Sequence, residues 1–224
     1  MTVEPIVHPS AVIDASAVLG EGVIIGAQAY VGPNAKLGDF VQVGAGAVIG
    51  ARPFELGKQA HYFPVVIGMN TFIGSNTTVQ LGVNGPTSIG NNSWVNHNCA
   101  IGHDVCIGEN VQIGLGCSIS GYSIVEDNVQ IGPTATLNNR SFIGKNARVG
   151  IGSLVLHPVK RNTIVFGRPA DLGTRVKEKN RKQNEMLDIT VSPRAMTGRR
   201  NRFSRLIPQP AIVFLRRLLT RIRP

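Results

Sequence analysis

The chain is poor in aromatic side chains. Eight Phe, three Tyr and one Trp in 224 residues are too few for a core of interlocking rings, which leaves small and branched aliphatic groups to fill the interior. Cysteine is scarce as well. The three present show no C-x-x-C or comparable metal-ligand spacing, which excludes a disulfide framework and a zinc knuckle. Cys99 and Cys117 are expected to be buried structural thiols in a reducing, cytoplasmic compartment. No run of about 20 apolar residues can form a membrane-spanning helix. The opening Met1-Thr2-Val3-Glu4-Pro5 lacks the basic and apolar regions of a signal peptide.

Acidic residues are also missing, but only from one part of the chain. Residues 1–174 carry nine Lys/Arg and ten Asp/Glu, whereas residues 175–224 carry fourteen Lys/Arg and three Asp/Glu. The net charge of +10 is therefore a near-neutral body followed by a polycationic tail. The charge step marks a boundary near Gly173, giving a body at 1–173 and a basic extension at 174–224.

Glycine, by contrast, is plentiful at 26 residues, and it is placed periodically. From Ile89 to Val155 every sixth residue is a branched aliphatic: Ile89, Val95, Ile101, Ile107, Ile113, Ile119, Val125, Ile131, Leu137, Ile143, Val149, Val155. The residue two before each is small or β-branched, and the residue after is often Gly, as at Gly90, Gly102, Gly108 and Gly114. A six-residue period fits neither an α-helix nor simple strand alternation. It predicts an all-β stacked solenoid in which each hexad makes one face of a coil.

The same phase runs earlier, from Val7 through Ile13, Leu19, Ile25, Val31, Leu37 and Val43 to Ile49, and again at Ile67, Ile73 and Val79. Two breaks interrupt it. Ala51 to Pro64 places Arg52, Glu55, Lys58, His61 and Tyr62 where apolar hexad residues should stand, so it reads as a loop leaving the coil. Leu81 to Pro86 adds four residues between Val79 and Ile89. Loops on a rigid scaffold often carry binding residues.

These patterns resemble the hexapeptide-repeat acyltransferases over residues 6–172. The opening IVHPSAVIDASAVLGEGVIIGAQAYVGP, the IGARPFELG loop and VNHNCAIGHDVCIGENVQIGLGCSISG are similar to the carrier-protein-dependent sugar-nucleotide acyltransferases of lipid A synthesis. GHDVCIGENVQIGLGCSISG is also similar to the acetyl-CoA-dependent sugar acetyltransferases, as is NTIVFGRPADLG. The resemblance implies a left-handed parallel β-helix with three hexads per coil, although the general rule for parallel crossovers is right-handed. It implies a homotrimer with active sites between subunits. It implies an enzyme that moves an acyl group to a hydroxyl or amine of a sugar or nucleotide sugar, acetyl-CoA being the favoured donor and an acyl-carrier-protein thioester the alternative. The general base carries over to His103 with Asp104, and the oxyanion-binding backbone N–H to Gly121. Gly167, Arg168, Pro169 and Ala170 carry over as the coenzyme-binding segment. The chain departs from the lipid A pattern at Tyr122 and Asn138, where those enzymes often have histidine, and at Leu81-Gly82, where they have Arg-Gly.

The spacing adds its own argument. His103 stands two residues beyond an inward aliphatic, so it should lie at an edge of the prism. Gly121 and Asn139 follow at 18 and 36 residues and should stack along that edge, with Tyr122 and Asn139 as substrate contacts. A neutral imidazole there can take an acceptor proton, Asp104 can fix its tautomer, and a glycine N–H can stabilise an oxyanion at close approach. His97 falls on a different edge, so the three converging histidines of a γ-class carbonic anhydrase are not expected. A non-catalytic scaffold is the other alternative. No metal and no permanently bound cofactor are expected.

The tail closes in a different pattern. On a helical wheel Ala211, Ile212, Leu215, Leu218, Leu219 and Ile222 share one side, and Arg216, Arg217, Thr220 and Arg223 the other. A helix over about 211–223, opened by Pro210, is predicted. Phe203 and Phe214 alone could stack on bases, so nucleic acid is not an expected partner. Two partners fit: an anionic membrane surface or carrier protein held by charge, or a neighbouring subunit that covers the apolar side. Near an anionic membrane each Lys or Arg contributes about 1 kcal/mol. The full chain is expected to sediment with anionic liposomes at low salt, and a chain stopped after Gly173 to stay in the supernatant. Equal recovery of both in the supernatant would leave subunit docking as the role of the helix.

Overall fold

A computed structural model describes residues 2–53 and 61–172. Among these residues all regular structure is β: 25 short strands, most of them two residues long. They form three sheets of ten, eight and seven strands, parallel except for the last pairing. Up to Ile164–Phe166 consecutive strands go to different sheets. Ile6–Val7 opens the first, Val12–Ile13 the second and Val18–Leu19 the third, and Ile24–Ile25 returns to the first. The body is a left-handed parallel β-helix of about eight coils.

The hexad explains each face. In Trp94–Val95 and Gln112–Ile113 the second residue is buried and the first points outward. The inward column of the first sheet runs Ile25, Val43, Ile73, Val95, Ile113, Ile131, Val149, all at most 3% exposed. Backbone bonds tie each coil to the next, as in Gln112 N–H to Val129 O at 2.9 Å and Gly114 N–H to Ile131 O at 2.8 Å. The corners come too close for side chains at some positions. A methyl group on Gly102 would stand 2.6 Å from the Gly121 nitrogen.

The small interior positions have a second use. Ser93 donates its hydroxyl to Gly108 O at 3.0 Å, and Cys99 and Cys117 place Sγ 3.2 Å from Gly114 O and Gly132 O. The cysteines thus occupy a serine's place in a ladder that satisfies corner carbonyls one coil on. They are buried and free.

Register shows what the two breaks add. Ile25 pairs with Val43, 18 residues on. Val43 pairs with Ile73 across the first break, and Ile73 with Val95 across the second. Both breaks leave from the second sheet and rejoin at the third, after Val48–Ala51 and after Thr78–Gln80. They meet each other: Phe63 N–H donates to Gly82 O at 2.8 Å and Gly82 N–H to Phe63 O at 3.0 Å. Both inserts therefore leave at one edge of the prism, the edge that carries His103.

At the C-terminal end Asp171–Leu172 turns back antiparallel against Ile164–Phe166. The chain divides into units of residues 1–173 and 174–224. The second unit, with the helix expected at 211–223, lies outside the described residues, as do residues 54–60 of the first break.

Ile113→Ala should remove roughly 2–5 kcal/mol of stability, because the narrow core cannot collapse onto the cavity. Gln112→Ala, one residue away but facing outward, should stay within about 0.5 kcal/mol. Guanidinium unfolding of both variants measures the contrast, and equal losses would contradict the inward-outward assignment.

Candidate active site

His103 sits just past Ala100–Ile101, at the edge between the second and third sheets. Its Nδ1 lies 2.8 Å from Asp104 Oδ2. The pair is largely shielded, with side chains 16% and 8% exposed. The inserted segment after Gln80 wraps the carboxylate. Val83 N–H donates to Asp104 Oδ2 at 2.9 Å, while Asn84 and Gly85 N–H donate to Oδ1 at 2.7 and 2.8 Å. The Asp104 N–H donates to Thr87 Oγ1 at 2.9 Å, and the His103 N–H to Gln80 Oε1 at 3.2 Å.

This arrangement determines the histidine's tautomer. A carboxylate that already accepts three backbone N–H groups can only accept from the imidazole as well. Nδ1 must then carry the proton, which leaves the Nε2 lone pair available as a base. The charge-assisted bonds to the loop hold Asp104 in place, and Asp104 holds the ring.

The Nε2 edge faces the next coil. A methyl on Gly121 would stand 2.8 Å from Nε2 and 2.9 Å from Cε1. Only glycine leaves room for the ring, and the Gly121 N–H finds no acceptor among the described residues. The stacking expected from the 18-residue spacing thus brings His103 and Gly121 together. A cavity of about 310 Å³ opens beside them on the second sheet, lined by Thr78, Gln80, Ala100, His103, Ser118 and Gly121. Its floor is the register-paired outward column Thr78, Ala100, Ser118. These short side chains leave a flat bed for a substrate.

Tyr122 lies edge-on to His103 with ring centroids 4.8 Å apart, and its hydroxyl accepts from Asn84 Nδ2 at 2.7 Å. Asn139 is exposed, and its Oδ1 accepts from Arg140 at 3.2 Å. The Asn139 amide does not bond His103; it serves Arg140, a residue the spacing argument passed over. Sequence reasoning also missed Gln80, Asn84 and Thr87. The signal for them was the phase break itself, since all three lie in or beside its inserted residues.

Gly167, Arg168, Pro169 and Ala170 are not brought beside His103 within one chain. Gly167 O accepts from Leu154 N–H and Ala170 N–H donates to Leu154 O. Leu154 stands three coils beyond Ala100 in the second sheet, a rise of about 14 Å at the usual strand spacing. The Arg168-Pro169 peptide bond is cis. His97 stands at another edge, where its Nδ1 accepts from Ser75 N–H at 2.8 Å. A larger groove of about 690 Å³ lies on the first sheet, along Trp94, Gln112, Gln130, Arg148 and Ile151. Its lining holds no histidine, cysteine or carboxylate. No cluster of three potential metal ligands occurs among the described residues.

Two family matches and many solved structures bear on this geometry. Residues 16–51 match the bacterial transferase hexapeptide (six repeats), and residues 83–168 match the GMPPB C-terminal domain. The UDP-N-acetylglucosamine acyltransferase from Campylobacter jejuni shares 25% identity over 81% of each chain, with a TM-score of 0.66. The chain shares the left-handed parallel β-helix fold of that enzyme. LpxA from Acinetobacter baumannii is 25% identical over 79% of this chain and 77% of its own, with a TM-score of 0.63. The Francisella novicida UDP-N-acetylglucosamine acyltransferase is 26% identical over 79% and 71%, with a TM-score of 0.57. No curated protein sequence matches. In this hexapeptide-repeat chain the two departures near His103 noted from sequence are both occupied structurally: Leu81-Gly82 begins the loop around Asp104, and Tyr122 covers the imidazole.

Asp104→Ala removes the acceptor shared by three loop amides. Hydrogen exchange at Val83, Asn84 and Gly85 should accelerate by about tenfold or more, the equivalent of one charge-assisted bond per amide. His103→Ala should leave those amides protected. Unchanged exchange in Asp104→Ala would show that the carboxylate does not hold the loop.

Proposed function

We propose that the chain is an acyltransferase that moves an acyl group from a thioester to a hydroxyl or amine of a nucleotide sugar. The observation that carries this reading is the His103–Asp104 pair, which leaves Nε2 beside Gly121, whose N–H has no acceptor among the described residues, over a floor of short side chains. The acceptor O–H or N–H attacks the thioester carbonyl while Nε2 takes its proton. The carbonyl oxygen becomes an oxyanion that the Gly121 N–H can bind. Collapse of the tetrahedral intermediate expels the thiolate, which takes the proton back from the imidazolium. Asp104 steadies that cation without itself receiving the proton.

The nucleotide sugar is supported by the likeness to UDP-N-acetylglucosamine acyltransferases over about four-fifths of the chain. Acetyl-CoA is the favoured donor. The span of about three coils from His103 to the Gly167–Ala170 segment is one that an extended pantetheine arm covers. A homotrimer fits the same reading. Among the described residues the cavity beside His103 is lined along the second sheet and its edge, and a neighbouring copy would supply a facing wall.

Thiol release from acetyl-CoA and from acyl-carrier-protein thioesters, each with UDP-N-acetylglucosamine, tests the proposal. Turnover is expected with one donor, and His103→Ala should lower it by about two to four orders of magnitude. Turnover only with the carrier-protein thioester would move the reading to the lipid A type. No turnover with either donor, from protein that is assembled and folded, would favour a scaffold.

A further inference from the structure

Most corners of the β-helix end in a residue whose backbone is left-handed. At the edge from the third sheet to the first, six consecutive coils fill this place with asparagine, from Asn70 and Asn92 through Asn110, Asn128 and Asn146 to Asn162, all with φ between 54° and 58°. Asparagine tolerates that conformation, whereas larger side chains lose about 1–2 kcal/mol there. The edge that carries His103 breaks the pattern. Its left-handed residues on three successive coils are Asp104, Tyr122 and Arg140, with φ of 57°, 60° and 60°. Asp104 has a role in the site already described. Tyr122 and Arg140 carry the same strain on the two coils directly above. Such strain concentrates where function requires a particular side chain.

The two residues act together. The Arg140 guanidinium lies over the Tyr122 ring, 4.6 Å from its centroid, and Tyr122 lies against His103. Steps of 4.6 and 4.8 Å keep the guanidinium within about 10 Å of the imidazole, well inside the reach of one substrate. Stacking fixes the guanidinium plane. Among the described residues its hydrogen bond is to Asn139 Oδ1. No carboxylate pairs with Arg140 among the described residues, where the ion pairs are His103–Asp104 and Lys145–Asp127. A planar, oriented, uncompensated guanidinium is suited to a phosphate, which it can bind through two parallel N–H donors.

We infer that Arg140, set on Tyr122, is a phosphate-binding site that anchors one end of a substrate while the other end reacts at His103. The phosphate belongs either to the diphosphate of a nucleotide-sugar acceptor or to the coenzyme of the donor. The choice of these two probes rests on the acyl-transfer reading; inorganic pyrophosphate, a third probe, does not.

Calorimetric titration of the full chain and its Arg140→Asn variant tests the inference. Asparagine suits this backbone conformation, so the variant should fold at least as well as the parent. Arg148→Ala on the first sheet controls for the loss of one positive charge. Arg140→Asn should weaken one of the two phosphate-bearing substrates by roughly ten- to a hundredfold. Uncharged N-acetylglucosamine should bind both proteins alike, and Arg140→Lys should fall between them. Selective loss of UDP-N-acetylglucosamine assigns the site to the acceptor, and selective loss of CoA assigns it to the donor. Pyrophosphate binding that depends on Arg140, in a protein with no acyl transfer, would keep the phosphate site and remove the enzymatic reading. Equal affinities for all three probes in the parent and Arg140→Asn would overturn the inference, as would equal losses in Arg148→Ala. So would a parent that binds none of the three.

Discussion

The register between coils is the constraint on which the rest of the structure depends. Strands bond to the strand 18 residues on, farther where loops intervene, and 16 residues on at the last coil. Residues one coil apart are therefore stacked without choice. The core follows: an inward column must be filled with side chains that tolerate neighbours directly above and below, which branched aliphatics do. The corners follow as well. A glycine such as Gly102 is required where the next corner's backbone would meet a Cβ at 2.6 Å. The site follows in turn, because His103 can face Gly121 only if the register holds between Ile101 and Ile119.

The inserted loop shows what a pure repeat cannot provide. A strict solenoid offers flat sheets and bonded corners, and most of its backbone N–H groups are already spent on the next coil. The few residues beyond Gln80 release three consecutive N–H groups from the repeat and turn them onto one carboxylate. That carboxylate then has no acceptor capacity to waste and no donor to offer, so the imidazole's protonation pattern is set before any substrate arrives. The active geometry is thus a local exception held rigid by a regular frame, which is the arrangement preorganised catalysis needs.

Much of this was legible in sequence because the period is long and nearly unbroken. Hexad counting located the faces, the inserted residues and the stack of His103 beneath Gly121. The hand was not legible from the residues, since the strand-crossover rule favours the opposite one, and only the family resemblance supplied it. The clamp on Asp104 was hidden because backbone N–H groups carry no sequence signature. Asn139 was given to the reacting centre by its 36-residue spacing, yet its amide turns to Arg140, a contact between sequence neighbours that column arithmetic does not see. Arg140 itself was detectable in principle, as the arginine in a place where another edge repeats asparagine.

That contrast between edges bears on how such a fold can host chemistry at all. In a solenoid each coil interacts chiefly with its two neighbours, so a local loss of stability does not spread. On its six asparagine coils the other edge has side chains bonded from coil to coil, as in Asn128 to Asn146 and Asn146 to Asn162, and there it relieves its left-handed corners at little steric cost. The edge of His103 gives up that relief on adjacent coils to place a carboxylate, a ring and a guanidinium in one column. Roughly 1–2 kcal/mol for each bulky left-handed residue would be a large fraction of the stability of a small compact domain. Here it is spread over successive coils whose inward column remains regular. The repeat thereby separates the residues that hold the molecule together from those that act, and one edge can change its chemistry without altering the frame.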